Sequence, residues 1–413
     1  MTLLLFGLFF LFMLLGVPIA FAIGASTLYA LYQSGVPLMV VTQQMFQGIN
    51  SFALVAIPMF ILAGDLMAQG KVSERLVGFM RGGLSVVSVM AGMFFAAISG
   101  SGAATTAAVG SSLVPELKRK GYDPASAASL IAASGTIGVV IPPSVPMIIY
   151  AVIAQQSVSE LFLNGFLPGL AMGVALMAIA ITQAYKRQYP KGTPLSLATM
   201  WHTFKAASWG LMTPVIILGG IFSGIFTPSE AAVVAVNYAL LVSLFVYRDL
   251  TLPQVYKLLI RSAMTTAVIM LVIAMSAVLS WTLSSWQVPG AIAQAVLSLS
   301  TNPYVIMLLV VAVILLTGVF IETASALIIL TPVLLPLVLQ LGIDPIHFGL
   351  IIVVGLSIGM ITPPVAINLY VASSVTQLPL ERITRAIIPY LLGLIGVLLL
   401  VVYVPILLGW SGH

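Results

Sequence analysis

In this chain of 413 residues, 61% are hydrophobic, only 6% are charged, and mean hydropathy is +1.19. So little charge excludes a water-soluble domain, whose composition is roughly a quarter charged residues. The formal net charge of +5 is too small and scattered for a nucleic-acid partner, and the lack of cysteine excludes disulfides, thiolate metal sites and dithiol redox chemistry.

The apolar runs are continuous rather than alternating, so they predict membrane helices of about 20 residues and not barrel strands. No basic region or cleavage site opens the chain, so residues 1–15 are expected to form a mature first helix. Gly16-Val17-Pro18 turns into a second helix ending near Tyr32. Residues 38–51 are mildly amphipathic, and 53–69 read as a span. Lys71, Arg75 and Arg81 place the next loop in the cytoplasm. Residues 84–117 are apolar except at Ser99-Gly100-Ser101-Gly102, which predicts a re-entrant hairpin with its tip there. Lys118, Arg119 and Lys120 put its exit in the cytoplasm. Asp123 reads as an N-cap before Pro124, opening a helix over 124–154 that breaks at Pro142-Pro143. A helix of about 162–184 follows, closed by Lys186, Arg187 and Lys191. Helices of about 208–224 and 229–247 then flank Thr227-Pro228, with Gly220 and Gly224 as a weak helix-packing pair. Residues 251–263 read as an amphipathic cytoplasmic segment, and 264–283 as a separate span. A second hairpin is predicted over 303–338 with its tip near 318–325. A helix over 345–377 breaks at Pro363-Pro364, and the last helix covers about 386–408.

This order is a repeat. Pro115, Asp123-Pro124, Pro142-Pro143 and Pro168 recur 221 residues later as Pro336, Asp344-Pro345, Pro363-Pro364 and Pro389. The chain therefore divides into repeat 1, residues 1–190, and repeat 2, residues 191–413. The basic Lys118-Arg119-Lys120 aligns with the uncharged Leu339-Gln340-Leu341, so the first hairpin enters from the cytoplasm and the second from outside. The fold class is an all-α polytopic membrane protein of two inverted-topology repeats, each with a re-entrant hairpin and a proline-broken helix. Following the crossings puts both termini outside. Trp201 and Trp209 then fall near the inner interface, and Trp281, Trp286 and Trp410 near the outer one.

The breaks carry the chemistry. Each Pro-Pro removes two backbone donors and frees upstream carbonyls. Unwound carbonyls suit a hard cation such as Na⁺, and half-helix N-termini suit a carboxylate. Each hairpin tip is expected to face the break that follows it, adding Ser99, Ser101 and Gly102 in one half and Glu322, Thr323 and Ser325 in the other. Glu322 reads either as a functional intramembrane carboxyl or as a hairpin cap. Asp123 and Asp344 are caps, and Asp65 and Glu230 are structural. His202 and His347 have no partner at metal-ligand spacing. With no Arg or Lys expected near the centre, an acid substrate is assigned to Ser101, Ser325, Asn368 and the breaks at Pro143 and Pro364. Gly64 to Lys71 fails as a P-loop, because five residues separate the glycines and Val72 replaces the Ser/Thr. No hydrolase elbow or zinc-protease motif occurs, so no enzyme is expected.

The Ser99-Gly100-Ser101-Gly102 tip, Ile141-Pro142-Pro143-Ser144, Thr362-Pro363-Pro364-Val365 and Asn368-Leu369-Tyr370 resemble the large membrane subunit of TRAP (tripartite ATP-independent periplasmic) transporters, DctM/SiaM type. Gly16-Val17-Pro18 and Ile57-Pro58-Met59-Phe60 extend the resemblance over the whole chain. The resemblance implies secondary active import of an organic acid (a dicarboxylate, sialic acid or other sugar acid) coupled to about two or more Na⁺ ions, with no organic cofactor. It implies a bacterial inner-membrane location, a separate small four-helix membrane subunit and a periplasmic substrate-binding protein. It also implies an elevator, in which the hairpins and broken helices move against a scaffold through arms at 38–51 and 251–263. One Na⁺ site would use Ser99, Gly100, Ser101 and Gly102 with Gly135, Thr136, Val139 and Pro142. The other would use Gly318, Glu322, Thr323, Gly359, Thr362 and Pro363. A self-sufficient carboxylate symporter of the same fold and a non-transporting scaffold subunit are the alternatives.

Overall fold

The computed structural model describes residues 1–69, 83–189, 197–300, 302–363 and 366–408, which form eighteen α-helices and no strand. Lys71, Arg75, Arg81, Lys191, Pro364 and Trp410 lie outside them. Helices α1 (Thr2–Leu14), α2 (Ile19–Gln33), α3 (Met39–Ile49) and α4 (Ala56–Gln69) open the chain. The first hairpin is α5 (Leu84–Ser99) and α6 (Gly102–Arg119). The first broken helix is α7 (Pro124–Thr136), a 3₁₀ turn at Ile137–Val139, and α8 (Val145–Ala154). Next come α9 (Val158–Lys186), α10 (Leu197–Phe222), α11 (Pro228–Leu241), α12 (Leu252–Ser285) and α13 (Val288–Leu299). The second hairpin is α14 (Pro303–Phe320) and α15 (Thr323–Gln340), and the second broken helix is α16 (Pro345–Gly359) and α17 (Ile367–Thr376). Helix α18 (Leu380–Leu407) closes the fold. Among the described residues six helices are long and apolar enough to cross a membrane, or seven if Met39–Ile49 and Phe52–Leu66, bent by 64°, form one span.

Local chemistry sets the hairpins and breaks. Gly100 turns the first tip at φ 58°, a left-handed conformation that favours glycine. Asp123 caps α7 by accepting from the Ser126 N–H at 2.9 Å, and Asp344 caps α16 through the His347 N–H at the same distance. Ser144 restarts α8 as its N-cap, accepting from the Met147 N–H at 3.3 Å.

The two halves of the chain interleave. Half-helix α8 packs on α15 of the second hairpin, and half-helix α17 packs on α6 of the first. Outside this block α11 lies on α4, and α12 lies on α2 and α3. On α9, Leu163, Leu167, Leu170, Val174 and Ile181 form an exposed apolar stripe suited to lipid.

Three features differ from the sequence reading. Residues 251–263 and 264–283 are one 34-residue helix, α12, because no glycine or proline interrupts it after Pro253. Helix α13 is an added element: Pro289-Gly290 resembles a turn, but a proline in the first turn of a helix is tolerated. Gly220 and Gly224 are not a packing pair, since α10 ends at Phe222, Gly224 turns at φ 74°, and Gly220 makes room for the Phe226 ring.

Gly165, Gly169 and Gly173 on α9 are packing glycines. A Cβ on Gly165 would stand 2.6 Å from Met147 Cε, and one on Gly169 would stand 2.5 Å from Ile141 Cγ1. This stripe seats the first break against α9. Gly169→Leu is therefore expected to push Ile141 away and to destabilise the protein by about 1–3 kcal/mol. Thermal unfolding in detergent measures this, and an unchanged midpoint contradicts it.

Candidate functional site

The first tip and the first break touch through backbone. A Cβ on Gly100 would stand 2.8 Å from the Pro143 carbonyl oxygen, and one on Gly138 would stand 2.8 Å from the Ser101 oxygen. From outside the hairpin, Gly64 of α4 also approaches the Ser99 backbone, with a Cβ–Cα distance of 3.0 Å. The tip is tied internally by Ser99 Oγ to Thr105 Oγ1 at 2.9 Å and by the Thr105 hydroxyl donating to the Ser101 carbonyl at 2.8 Å. The Thr106 hydroxyl donates to the Gly102 carbonyl at 2.9 Å, and the Ser144 hydroxyl to the Val139 carbonyl at 2.5 Å.

At the second hairpin Gly318 packs against Gly359, where a Cβ on Gly359 would stand 2.6 Å from Gly318 Cα and would overlap the Gly318 carbonyl. Glu322 caps α15, accepting from the Ser325 N–H at 3.2 Å. The capping reading of Glu322 thus describes its geometry, while its side chain also faces open space. Thr323 is 2% exposed, and its Oγ1 has no hydrogen-bond partner among the described residues. The Thr362 hydroxyl bonds back to the Ile358 carbonyl at 2.9 Å.

Both tips reach one cavity of about 380 Å³. Ser99, Gly100, Ser101 and Gly102 line it from the first tip together with Val139, and Glu322 lines it from the second together with Met360 and Ile367. The remaining expected residues stand behind this wall. Gly135, Thr136, Pro142, Pro143, Gly318, Thr323, Ser325 and Gly359 are buried, while Thr362 and Pro363 are half-buried. Asn368 is fully buried. Its Nδ2 donates to the Ala132 carbonyl at 3.3 Å, linking the second break to helix α7 of the other repeat, and its Oδ1 has no partner among the described residues.

The expectation of no cation near the centre is overturned by Arg261. It lines the same cavity from α12 and interacts electrostatically with Asp65 on the same wall. Asp65 lines the cavity too, and accepts from the Ser262 hydroxyl at 3.0 Å, so it is not merely a helix-end group. The sequence reading puts Arg261 in an interfacial segment because it divides α12 after residue 263. On one continuous helix Arg261, Thr265 and Ile269 share a face at four-residue spacing, and all three line the cavity.

Away from the cavity, Arg187 pairs with Asp123 at 2.9 Å. Burial pulls the Asp123 carboxyl upward, but the Ser126 backbone N–H, the Ser126 hydroxyl and Arg187 outweigh it and hold the carboxyl below its ordinary value. A lowered carboxyl contributes stability above its unfolded pKa of about 4 and loses it as pH falls through the folded value. Both side chains are 44% exposed, so the pair contributes under about 1 kcal/mol. Asp123→Asn is expected to lose less thermal stability than the native chain on acidification from about pH 5 to about pH 2. Equal losses in a pH series of unfolding midpoints contradict this.

The architecture is similar to the YdaH transporter of Alcanivorax borkumensis, with a TM-score of 0.69 over 91% of this chain and 90% of that one at 18% identity. A family model described as "Tripartite ATP-independent periplasmic transporter, DctM component" matches residues 6–407. The chain belongs to the DctM family. Among its relatives is the C4-dicarboxylate TRAP transporter large permease protein DctM of Pseudomonas aeruginosa, 42% identical over 88% of this chain and 86% of that protein. The 2,3-diketo-L-gulonate TRAP transporter large permease protein YiaN of Escherichia coli is 39% identical over 95% of this chain and 94% of its own length. The isethionate TRAP transporter permease protein DctMQ of Oleidesulfovibrio alaskensis is 43% identical over 97% of this chain, which spans 65% of that longer protein. As a DctM protein the chain is a multi-pass bacterial membrane protein and a TRAP large permease subunit, not an enzyme.

Proposed function

We propose that this DctM chain is the Na⁺-coupled translocating subunit of a tripartite importer that moves an organic acid through the cavity between its hairpin tips. The observation that carries this reading is the meeting of both repeats, through Ser101 and Glu322, at one cavity with a cation, Arg261, on its wall. The guanidinium and the N-terminus of α6 at the first tip favour an acid carboxylate, and co-bound Na⁺ would offset the Asp65 and Glu322 carboxyls on the same wall. Na⁺ is a co-transported substrate, and the donors around the tips suit it. The Thr323 hydroxyl is buried without a partner, and the first tip presents serine hydroxyls and backbone oxygens. Repeats 1–190 and 191–413 supply one such region each, with about two or more ions as the expected load. In this reading the hairpins and broken helices slide as an elevator against the other helices. The acid is delivered by a periplasmic binding protein, and a small four-helix membrane subunit flanks the scaffold. The chain sits in the bacterial inner membrane with both termini periplasmic. The family's tripartite character and relatives named for acid transport support it.

Arg261→Gln tests the assignment. A lost charge-assisted contact of about 1.5–3 kcal/mol raises the KM for the acid by roughly 10- to 100-fold. Arg261→Lys should recover part of it. Uptake in reconstituted vesicles reads this, and an unchanged KM removes Arg261 from the substrate path.

A further inference from the structure

Helices α9 and α18 form a groove away from both hairpin tips. They touch where Gly393 of α18 makes room for Ile179 of α9. Beside that contact a cavity of about 500 Å³ opens, lined by Ala178, Thr182, Gln183 and Lys186 of α9, the adjoining Arg187, and Pro389 of α18. Val174, Ala178, Thr182 and Lys186 are exposed at four-residue spacing and form one face of α9, apolar at the Val174 end and cationic at the other. On α18 the exposed Leu392 and Pro389 lead in the same way to the exposed Arg385 and Arg382.

The polar groups at the basic end are set for an anion. Lys186 enters no ion pair among the described residues, while Arg187 pairs with Asp123 through one of its nitrogens. Glu381 opens α18 but does not line the cavity. The buried Tyr390 hydroxyl donates to Gln183 Oε1 at 3.3 Å, which leaves the Gln183 N–H groups for another acceptor. The Thr182 hydroxyl donates to the Ala178 carbonyl at 2.8 Å and keeps its capacity to accept. The opposite end of the same helix pair has the reverse sign. Glu160 and Asp344 line a cavity of about 550 Å³ there, and among the described residues no Lys or Arg does.

We propose that the basic end of this groove binds one anionic glycerophospholipid. The lipid phosphate pairs with Lys186 and the remaining guanidinium N–H groups of Arg187, and accepts from the Gln183 amide. The acyl chains lie over Ala178, Val174 and Leu392, where they cover apolar surface. Basic pockets between membrane helices on the cytoplasmic side suit anionic headgroups, and the positive-inside rule makes the Lys186 end the cytoplasmic one. A choline headgroup brings a quaternary ammonium against Lys186, Arg382 and Arg385, and that repulsion favours a headgroup of net negative charge. A glycerol headgroup adds hydroxyls that the Thr182 oxygen can accept.

The test titrates the full chain in detergent with dioleoyl phosphatidylglycerol and dioleoyl phosphatidylcholine, and counts bound lipids by native mass spectrometry. The first phosphatidylglycerol is expected to bind at least tenfold more tightly than phosphatidylcholine. Lys186→Gln combined with Arg385→Gln should abolish that preference. Ala178→Trp fills the groove and leaves every charge in place, and it should weaken phosphatidylglycerol binding at least tenfold. Thr182→Trp replaces it if Ala178→Trp does not elute as a single species. Lys257→Gln removes an exposed cation of α12, away from the groove, and should leave the preference unchanged. Equal affinities for the two lipids, a preference that survives the double substitution, or an equal loss with Lys257→Gln overturns the proposal. Excess glycerol 3-phosphate should not displace the lipid, because it lacks acyl chains, and displacement by it reassigns the groove to a soluble anion. The lipid should also stay bound when the small membrane subunit joins, and its expulsion means that a protein covers the groove instead.

Discussion

Gly359→Ala is expected to cut Na⁺-driven uptake by about 100-fold while leaving the protein folded in the bilayer. A methyl group there would overlap the Gly318 carbonyl and stand 2.6 Å from Gly318 Cα. Backbone on both sides cannot yield as a flexible side chain can, so α14 and α16 must separate. Overpacking of this kind costs about 1–3 kcal/mol, less than the 5–15 kcal/mol of a typical domain. The loss falls on the contact that holds the second hairpin against the second break, and a misplacement of about 1 Å there scatters the groups around Glu322 and Thr323. Gly219→Ala is the matched control, because a Cβ at Gly219 meets nothing within 4 Å. Uptake in vesicles together with the size-exclusion profile makes the comparison. Full uptake by Gly359→Ala removes the Gly318–Gly359 contact from the mechanism.

Thr323→Val is expected to raise the half-saturating Na⁺ concentration at least tenfold, about 1.4 kcal/mol, with Thr323→Ser restoring most of it. Valine matches threonine in shape but lacks the hydroxyl. If the buried Oγ1 served no ligand, its removal would be neutral or stabilising, because an unsatisfied buried polar group costs about 1–3 kcal/mol. Function and stability therefore move in opposite directions under the ion-ligand reading. An unchanged Na⁺ dependence, with a raised unfolding midpoint, assigns Thr323 to packing alone.

The features read correctly from the sequence are those written in local chemistry. Asp123-Pro124 and Asp344-Pro345 announce helix starts by capping rules, and the small-residue tip at Ser99 to Gly102 falls between α5 and α6. The predicted hairpin at 84–117 closely matches Leu84–Ser99 and Gly102–Arg119. What escaped depends on helix phase or on distant partners. Arg261 faces the cavity only because α12 is unbroken, which shifts it from an interface onto the face of Thr265 and Ile269. Gly165, Gly169 and Gly173 lie at four-residue spacing, but their meaning depends on Met147, Ile141 and Met93, which belong to other helices and to the first break. Asn368 reads as a polar group with little use except at a centre. Its amide also spans 236 residues to the Ala132 carbonyl, a long-range bond that no local pattern encodes.

In the proposed mechanism an Na⁺ gradient drives an acid through the cavity shared by the two tips. The direct test is uptake into vesicles holding this chain and its small membrane subunit, supplied with the loaded periplasmic binding protein, with and without an inward Na⁺ gradient. Uptake should require the gradient and the binding protein together, and should be lost on Ser101→Tyr, which fills the cavity wall at the first tip. Uptake that continues without Na⁺ or binding protein, or that survives Ser101→Tyr, would contradict the account.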